Sequence, residues 1–543
     1  MDAYVDLRLA PYNVVANNPA KGSDNTAGIN AAISACSGTR ARLVLPQGAI
    51  YVDQADGTKN WSIKFGPGVS DLTLAGQGRF ATRIIQQGVG DSGDWHALML
   101  DGAARIELTD FGVSTGTITN PDPGDEVHLI SVVSVSGTPT TDIFGHRLYF
   151  GQCIGDQLRF LGAGAPVTDC RFTGLLMHGA GIGRGARSGI ALQRGFSRIE
   201  ISDFYIDGSK NSPIDMEPTG TDPGTMEHLS IHHGVCDNSL GRTSVAFSIG
   251  GLSHGPRVAH MRVADVLVLA GRVNILSTDD LHVDRLTVLS SEAYPADVHG
   301  PTVAVRQINN DLVLSNLHLE RTGTSAKGNV LDISNAGNST FIDGGLFLAG
   351  VTGYPIYVAD SRNLRVRSPR IRYEAASPAG KSALAVTALN RDADDVQIDG
   401  LEVVSTTGPL RAAIDLASRG AHSMANVRVG GVSCAGAAAS GVYLSRGEGS
   451  RLDKTPLLTA IDNGSGRTWK QVDQNDTAIT TLFPIISGNP GGICTFEGEA
   501  APESAVSAIQ GCTCIFRAGD STGTYRKQTG TGDTGWSLVP AGT

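Results

Sequence analysis

Short stretches of alternating apolar and polar residues recur along most of the chain at nearly constant intervals. From residue 188, ten stretches such as SGIALQRG, SPIDMEPTG and SVAFSIGG begin 24 to 32 residues apart, each shortly after a turn rich in Gly, Ser or Asn. Between them lie runs such as SRIEISDFYIDG, which contain two alternating segments separated by a bend. Alternation with period two is typical of β-strands. The pattern therefore predicts about three strands in each repeat and no helices there.

A repeat of this length with three strands predicts an all-β fold, a right-handed, single-stranded parallel β-helix in which each repeat forms one coil. Leucine-rich repeats have a similar period but need a leucine signature that is absent here, and propeller blades need roughly 40 residues or more. Each coil of a solenoid contacts only its neighbours, so one long solenoid does not need to divide into several domains. The interval between repeats therefore decides the fold class.

The two ends of the chain depart from the repeat. Residues 1–20 form an N-terminal segment, and residues 21–60 contain a cap: an amphipathic helix over 23–33, with Ser23 or Asp24 as its N-cap, followed by a first strand. The β-helix is predicted over 61–446. A Gly-rich linker then leads to a small β module over 454–543.

Three segments carry a resemblance to a known family. The stretch DNTAGINAAI followed by VLPQGAIYVD resembles the opening of pectate-lyase-like parallel β-helix proteins, and RSGIALQRG with SPIDMEPTG resembles their middle coils. The closing YRKQTGTGDTGW is similar to segments near the ends of phage tail proteins. The resemblance is greatest to bacteriophage tailspikes and capsule depolymerases. It implies a homotrimer attached to a phage tail or baseplate, with residues 1–20 as an attachment peptide and the module over 454–543 serving trimerisation or glycan binding. It also implies location in the virion; secretion is the alternative.

Composition narrows the choice of partner. Glycine accounts for 69 of 543 residues and only 18% of residues are charged, which suits tight turns between strands. The net charge of −10 argues against nucleic acid, which requires clustered Lys and Arg. The sequence contains no run of about 18 consecutive apolar residues, so no transmembrane helix is expected. The eight cysteines are expected to be mostly buried, reduced thiols.

A pair of acids in the middle coils is the first candidate for chemistry. In SPIDMEP, alternation places Ile214 and Met216 inside the coil and Asp215 and Glu217 outside. Their carboxyl groups would lie about 5–9 Å apart, the range used in glycoside hydrolysis. The alternative is a solvated pair of surface acids.

A second candidate is a column at one corner of the coils. His178, Asp207 and Asp237 are spaced 29 and 30 residues apart, so they would stack on successive coils. Stacked ionisable groups shift one another's pKa values, as an acid/base pair requires. The alternative is that these residues only stabilise turns through their own backbone.

Residues in the neighbouring runs are candidates for binding the substrate: Gln193, Arg194, Ser248, Asn274 and Arg306. The predicted function is depolymerisation of a bacterial capsule, exopolysaccharide or O-antigen by glycosidic hydrolysis. One alternative is a lyase in which His178, Lys210 or an arginine removes the C5 proton of a uronic acid. The other is a receptor-binding spike without catalysis. No cofactor is expected, and calcium at the acid cluster is left open.

Overall fold

The computed structural model describes most of the chain. The described residues are 3–55, 59–87, 94–116, 126–179, 187–209, 211–216, 226–239, 245–250, 257–290, 300–322, 328–350, 353–374, 381–406, 410–435, 438–446, 451–452, 456–462, 469–473, 484–488, 493–498, 500–503, 505–518 and 521–540.

The chain forms two compact units, Met1–Pro295 and Ala296–Thr543. In both units, strands one repeat apart in the sequence pair in parallel, so the backbone winds as a β-solenoid. This confirms the predicted all-β fold and its parallel coils. In the described residues, no helix is long and apolar enough to cross a membrane.

One sheet of the first unit receives a single strand from each coil, and we call it the narrow sheet. Neighbouring strands pair in parallel throughout. Its strands are Trp61–Phe65, Asp94–Asp101, Glu126–Val133, Leu158–Leu161, Ile190–Leu192, Ile214–Met216, Val245–Gly250 and Arg272–Leu276.

The remaining strands of the first unit form the wide sheet, to which each coil contributes two segments. In the middle coils, the two segments join into single strands of up to 12 residues that bend in the middle, as predicted. The strands are Tyr4–Asp6, Ala41–Val44, Gly48–Val52, Ser70–Ala75, Thr82–Gln86, Ala104–Thr109, Gly112–Thr115, Thr140–His146, Tyr149–Phe150, Val167–His178, Phe196–Asp207, Met226–Asp237, Ala259–Leu269, Leu281–Asp284 and Thr287–Ser290.

The bend in each wide-sheet coil is made by one residue with left-handed backbone dihedrals. These residues occupy the same register position on successive coils, and their φ values lie between 51° and 65°. Left-handed backbone is unfavourable for most residues and is visited mainly by Gly, Asn and Asp. The bend residues are Asp110, Arg147, Gly174, Asp203, His233 and Asp265.

The predicted cap helix spans Gly22–Cys36 and follows a short 3-10 helix, Pro19–Lys21. Its predicted apolar face is buried, because Ile29, Ala32 and Ile33 have almost no solvent exposure. The helix therefore packs as its pattern of apolar residues indicates.

The predicted N-cap at Ser23 or Asp24 is wrong. The helix begins one residue before Ser23, and the N-cap position falls on Lys21, which makes no side-chain capping bond. The Ser23 hydroxyl donates instead to the carboxylate of Asp53, 3.0 Å away. The side chain that the local sequence suggested as a cap therefore makes a tertiary hydrogen bond instead.

Side-chain amides of the helix bond to the backbone of the first coil. The Asn30 amide donates to the carbonyl of Ser62 at 2.8 Å, and its oxygen accepts from the backbone N–H of Lys64 at 2.9 Å. Asn25 likewise donates to the carbonyl of Tyr51 at 3.0 Å. Asn30 thus pairs with the first narrow-sheet strand much as a neighbouring strand would.

The second unit also has parallel coils. One sheet holds one strand per coil: Val303–Ile308, Leu331–Ala336, Ile356–Ala359, Leu384–Ala388, Leu410–Ser418, Ala438–Arg446 and Trp469–Asp473. The other strands of the coils are Asp311–Ser315, His318–Arg321, Ser339–Asp343, Leu346–Ala349, Asn363–Arg367, Arg370–Tyr373, Val396–Asp399, Glu402–Ser405, Arg428–Ala435 and Leu457–Asp462. A small third sheet contains Ala393–Asp394, Ser423–Ala425 and Arg451–Leu452.

Parallel pairing continues beyond the predicted end of the β-helix at Arg446. Trp469–Asp473 pairs in parallel with Ala438–Arg446, and Leu457–Asp462 pairs with Arg428–Ala435. The sequence pattern missed this coil because its strands are interrupted by polar, Gly-rich segments. Most of the predicted linker lies outside the described residues.

Among the described strands, antiparallel pairing is found only near the C-terminus. The strands there are Ile485–Gly488, Cys494–Gly498, Thr513–Ala518, Ser521–Lys527 and Trp536–Val539. They enclose a core of their own that includes Phe496, Cys512 and Trp536.

Candidate functional site

The narrow sheet of the first unit places several predicted residues on one face. Ala191, Asp215, Ser248 and Asn274 are register partners on successive strands. Ile214 and Met216 are buried, so the strand alternates as predicted. The sequence therefore placed Asp215 correctly between small and polar neighbours.

The hydroxyl of Ser188, on the preceding coil, lies close to Asp215. It is 3.5 Å from Oδ2 of the Asp215 carboxylate. Glu217, the proposed partner of Asp215, lies outside the described residues, as does Lys210.

The same face carries a buried polar network around Arg159, whose side chain is only 8% exposed. Its Nε donates to Oε1 of Gln193 at 2.9 Å, and its Nη1 donates to Oδ2 of Asp94 at 2.9 Å. Nη1 also lies 2.8 Å from Nε2 of His128. Gln193, predicted to bind substrate, therefore holds the Arg159 side chain in place.

His128 connects Arg159 to a second carboxylate. Its Nδ1 lies 3.2 Å from Oδ2 of Asp156, and both side chains are fully buried. The backbone N–H of Ser188 donates to the other oxygen of Asp156 at 3.2 Å. Since Ser188 also contacts Asp215, a chain of polar contacts runs across the coils from His128 to Asp215.

Two carboxylates lie at the solvent-accessible side of the network. Asp94 and Glu126 are register partners on neighbouring strands, and one oxygen of each lies within 4.8 Å of the other and of a ring nitrogen of His128. Arg187 donates to Oε1 of Glu126 at 2.7 Å. The Asp94 side chain is 49% exposed, so a ligand can reach the pair.

The donor set of this cluster suits a cation poorly. Calcium takes six to eight oxygen ligands, whereas here Asp94 and Glu126 already bond the guanidinium groups of Arg159 and Arg187. The third candidate ligand is an imidazole nitrogen. The residues therefore fit a sugar hydroxyl better than calcium.

The arginine shapes the electrostatics of the network. Burial raises the pKa of Asp94, but the Arg159 hydrogen bond and positive charge outweigh it, so the pKa lies below its usual value. Asp156 follows the same pattern, with burial outweighed by His128 and the arginines. Burial, together with the charges of His128 and Arg159, holds the pKa of His96 well below its usual value. Asp94 therefore stays ionised at neutral pH.

The predicted corner residues His178, Asp207 and Asp237 do stack on successive coils. They are register partners on three wide-sheet strands. His178 Nδ1 lies 2.8 Å from Oδ2 of Asp207, and the Tyr205 hydroxyl donates to Oδ2 of Asp237 at 3.3 Å. The spacing of the repeats thus identified a true His–carboxylate contact.

The other proposed substrate-binding residues are dispersed. Arg194 is half-buried in the turn after the strand Ile190–Leu192. Arg306 is exposed and belongs to the second unit, where its register partner is Ser334. The structure therefore brings Gln193, Ser248 and Asn274 to the narrow sheet of the first unit, but not Arg306.

Sequence reasoning missed Asp94, Glu126 and Arg159. A signal was present: the tripeptides Asp-Trp-His and Glu-Val-His begin 32 residues apart, at Asp94 and Glu126. They lie before residue 188, ahead of the ten recurring stretches. Aligning these two strands would have placed both acids and both histidines in register.

The sequence matches no protein-family model and no curated protein. Among solved structures, it is similar to the mannuronan C-5 epimerase AlgE6 A-module of Azotobacter vinelandii, with a TM-score of 0.37 and 11% identity over 82% of this chain and 99% of that chain. The Yersinia enterocolitica family 28 exopolygalacturonase gives a TM-score of 0.34 and 9% identity over 84% of this chain and 79% of that chain. An α-1,3-glucanase of Streptomyces thermodiastaticus gives a TM-score of 0.32 and 11% identity over 82% of this chain and 68% of that chain.

Proposed function

We propose that the chain is a carbohydrate-active β-helix enzyme that cleaves a bacterial surface polysaccharide by glycosidic hydrolysis. The observation that carries the proposal is the pair of carboxylates Asp94 and Glu126, held close together at the accessible side of a buried polar network. Closely spaced carboxyl groups, about 5 Å apart, are the arrangement used by retaining glycoside hydrolases. Such a site combines a nucleophile with a proton donor.

The two acids have different surroundings, which suggests different roles. Arg159 keeps Asp94 ionised, so Asp94 is the nucleophile in this proposal. Only Oε1 of Glu126 accepts from Arg187, while Oε2 lies 3.5 Å from Nε2 of His128 and can carry the transferred proton. Glu126 would then protonate the leaving oxygen and later activate water.

The acids identified from sequence remain part of the proposal. Asp215 lies at the other end of the chain of contacts that starts at His128, where it would bind sugar hydroxyls or serve, with Glu217, as an alternative acid pair. The His178, Asp207 and Asp237 column is the reserve acid/base set. These assignments compete with Asp94 and Glu126 and can be separated by substitution.

A lyase is the second candidate, favoured by the guanidinium group of Arg187, which is 23% exposed and lies beside the carboxylate of Glu126. A guanidinium can bind a uronate carboxyl group bidentately and stabilise the charge that develops when the C5 proton is removed. Elimination leaves an unsaturated end that absorbs ultraviolet light, whereas hydrolysis adds one water to each cleaved bond.

The biological setting is proposed from the sequence resemblance. A tailspike-type depolymerase would be a homotrimer on a phage tail or baseplate and would act at the bacterial surface. Light scattering should then give three times the chain mass of 56.5 kDa. A mass equal to one chain would rule out the trimer.

The test of the activity is a panel of purified capsules, exopolysaccharides and O-antigens, with products analysed by mass. We expect the wild-type protein to cleave at least one polymer, and Asp94→Asn and Glu126→Gln each to reduce the rate at least ~100-fold while circular dichroism stays unchanged. Asp215→Asn and Asp207→Asn make the same kind of change in the two competing acid sets and serve as the comparison. If these abolish cleavage and Asp94→Asn does not, the assignment of the acids is overturned. Binding without any change in chain length would instead indicate a receptor-binding spike.

A further inference from the structure

A line of aromatic rings crosses several coils on the outer face of the wide sheet. The ring centroids of Phe80 and Tyr149 are 5.3 Å apart, those of Tyr149 and His178 are 5.9 Å apart, and those of His178 and Tyr205 are 5.8 Å apart. We call these four residues the aromatic track. Asp94, Glu126 and Arg159 do not belong to it, whereas His178 is also a member of the reserve acid/base set.

The first ring of the track is unusually exposed. Phe80 is 59% exposed. Among the described side chains, it is the only phenylalanine or tryptophan that is largely exposed to solvent. The guanidinium group of Arg79 lies 5.2 Å from its ring centroid. Exposing an apolar ring opposes the hydrophobic effect, so an exposed ring that continues into a row of others indicates a binding surface.

The backbone beneath Tyr149 is adapted to a ring that lies along the coil. Its register partner is Gly112, and a Cβ atom at Gly112 would lie 2.9 Å from Cδ1 of Tyr149. Because Gly112 lacks a side chain, the Tyr149 ring can pack against the backbone of the preceding coil.

Hydrogen-bonding groups line the end of the track. Asp207 contacts the ring of His178, and Asp237 accepts from the hydroxyl of Tyr205. Burial, followed by the charges of Asp237 and Asp207, raises the pKa of Tyr205, so its hydroxyl remains a donor at neutral pH. Rings and carboxylates thus alternate along a single surface.

We propose that the aromatic track binds a neutral, hydroxyl-rich glycan without cleaving it. A pyranose ring has an apolar face of C–H groups that can stack on an aromatic ring, whose face carries partial negative charge. The carboxylates of Asp207 and Asp237 would accept hydrogen bonds from sugar hydroxyls and would repel uronates. The proposal rests on the proposed function only in that the ligand is a polysaccharide, since the track and the Asp94–Glu126 pair are different sites.

The test measures retention of the intact protein in affinity electrophoresis. The probes are gels containing dextran, mannan or galactan as neutral polymers, and alginate or polygalacturonate as acidic ones. We expect retention by at least one neutral polymer. The double variant Phe80→Ala, Tyr149→Ala should weaken it at least ~10-fold, the loss of about 1.4 kcal/mol of stacking.

Two further variants provide the controls. Tyr149→Phe keeps the ring and should retain most of the binding. Phe144→Ala removes a ring that stacks on His146 at 4.8 Å, outside the track, and should bind as the wild type does. Unchanged circular dichroism and melting temperature would show that the variants are folded.

Several outcomes would overturn the track. The double variant could be retained as strongly as the wild type. The wild type could be retained by the acidic polymers only, or by none of the polymers. A drop in oligomer mass on substitution of Phe80 would assign the surface to a subunit contact instead. If the wild type binds but cleaves nothing, the proposed hydrolysis fails and the track stands. If the wild type cleaves a polymer and the double variant still binds normally, the proposed hydrolysis stands and the aromatic track fails.

Discussion

The two sheets of the first unit carry similar charged residues in very different environments. On the narrow sheet, Arg159 is 8% exposed and contacts three side chains, Asp94, His128 and Gln193. On the wide sheet, the arginines that pair with aspartates of neighbouring coils are 53–60% exposed. These arginines are Arg105, Arg147, Arg198 and Arg285.

The difference shows how to separate structural charges from functional ones in a repetitive fold. The arginines and aspartates of these wide-sheet pairs recur on successive coils at positions with left-handed backbone, and exposed pairs of this kind contribute little. In the narrow-sheet network the acid and the histidine recur on two coils, but Arg159 does not, because its register partners are Ser131 and Ala191. Its buried charge requires partners. A polar cluster that breaks the repeat is therefore the stronger candidate for a site.

The largest expected effect comes from removing the arginine at the centre of the network. Arg159→Met would leave the buried side chains of His128 and Gln193 without their guanidinium partner, and each buried polar group left unsatisfied costs about 1–3 kcal/mol. Urea unfolding should show this loss. Arg198→Met, which removes an exposed arginine paired with Asp169, is the control and should change stability very little. Equal losses in both variants would erase the distinction between the sheets.

A smaller effect is expected at the bends of the wide sheet. Asp203 has a φ of 51°, and a β-branched residue there must adopt a strained conformation. Asp203→Val should therefore cost roughly 1–2 kcal/mol, whereas Asp203→Asn should be nearly neutral, because asparagine tolerates left-handed backbone. Thermal denaturation of the two variants decides the matter. A stable valine variant would show that the bend is not set by backbone preference.

The smallest expected effect concerns acid and salt. The hydrogen bond from Arg147 is the main cause that lowers the pKa of Asp110, to about 2. A lowered pKa stabilises the fold above the ordinary value of 3.8, and this contribution is lost as the pH falls towards 2. Asp110→Asn should therefore be less sensitive than the wild type to pH between 4 and 2.

Salt sharpens the same comparison. At about 1 M salt the screening length falls to ~3 Å, so the difference in acid sensitivity between Asp110→Asn and the wild type should shrink. The buried narrow-sheet network should respond much less. Urea unfolding at several pH values, with and without salt, measures both. A salt-independent difference would contradict the assignment of Asp110 to an exposed pair.

The fold could be predicted because two simple periods dominate the sequence. Alternation assigned Ile214 and Met216 to the interior and Asp215 to the surface, and the 29- and 30-residue spacings placed His178, Asp207 and Asp237 in one stack. Both inferences need only the geometry of a strand and the length of a coil.

The network could not be predicted in the same way. Arg159 reaches Asp94, a residue 65 positions earlier in the chain and two coils away, through a long side chain whose direction alternation does not specify. The N-cap was missed for a related reason, since Ser23 bonds to Asp53, 30 residues later. Contacts that depend on side-chain reach rather than backbone period are visible only in three dimensions.

The helix amide of Asn30 has a consequence for the solubility of the molecule. The terminal strand of a parallel stack offers unpaired backbone groups on which another chain can assemble. Because the amide occupies the carbonyl of Ser62 and the N–H of Lys64, the strand Trp61–Phe65 is closed at that position to addition of a foreign strand. Asn30 thereby closes this part of the narrow sheet to pairing with another chain, which limits one route to aggregation.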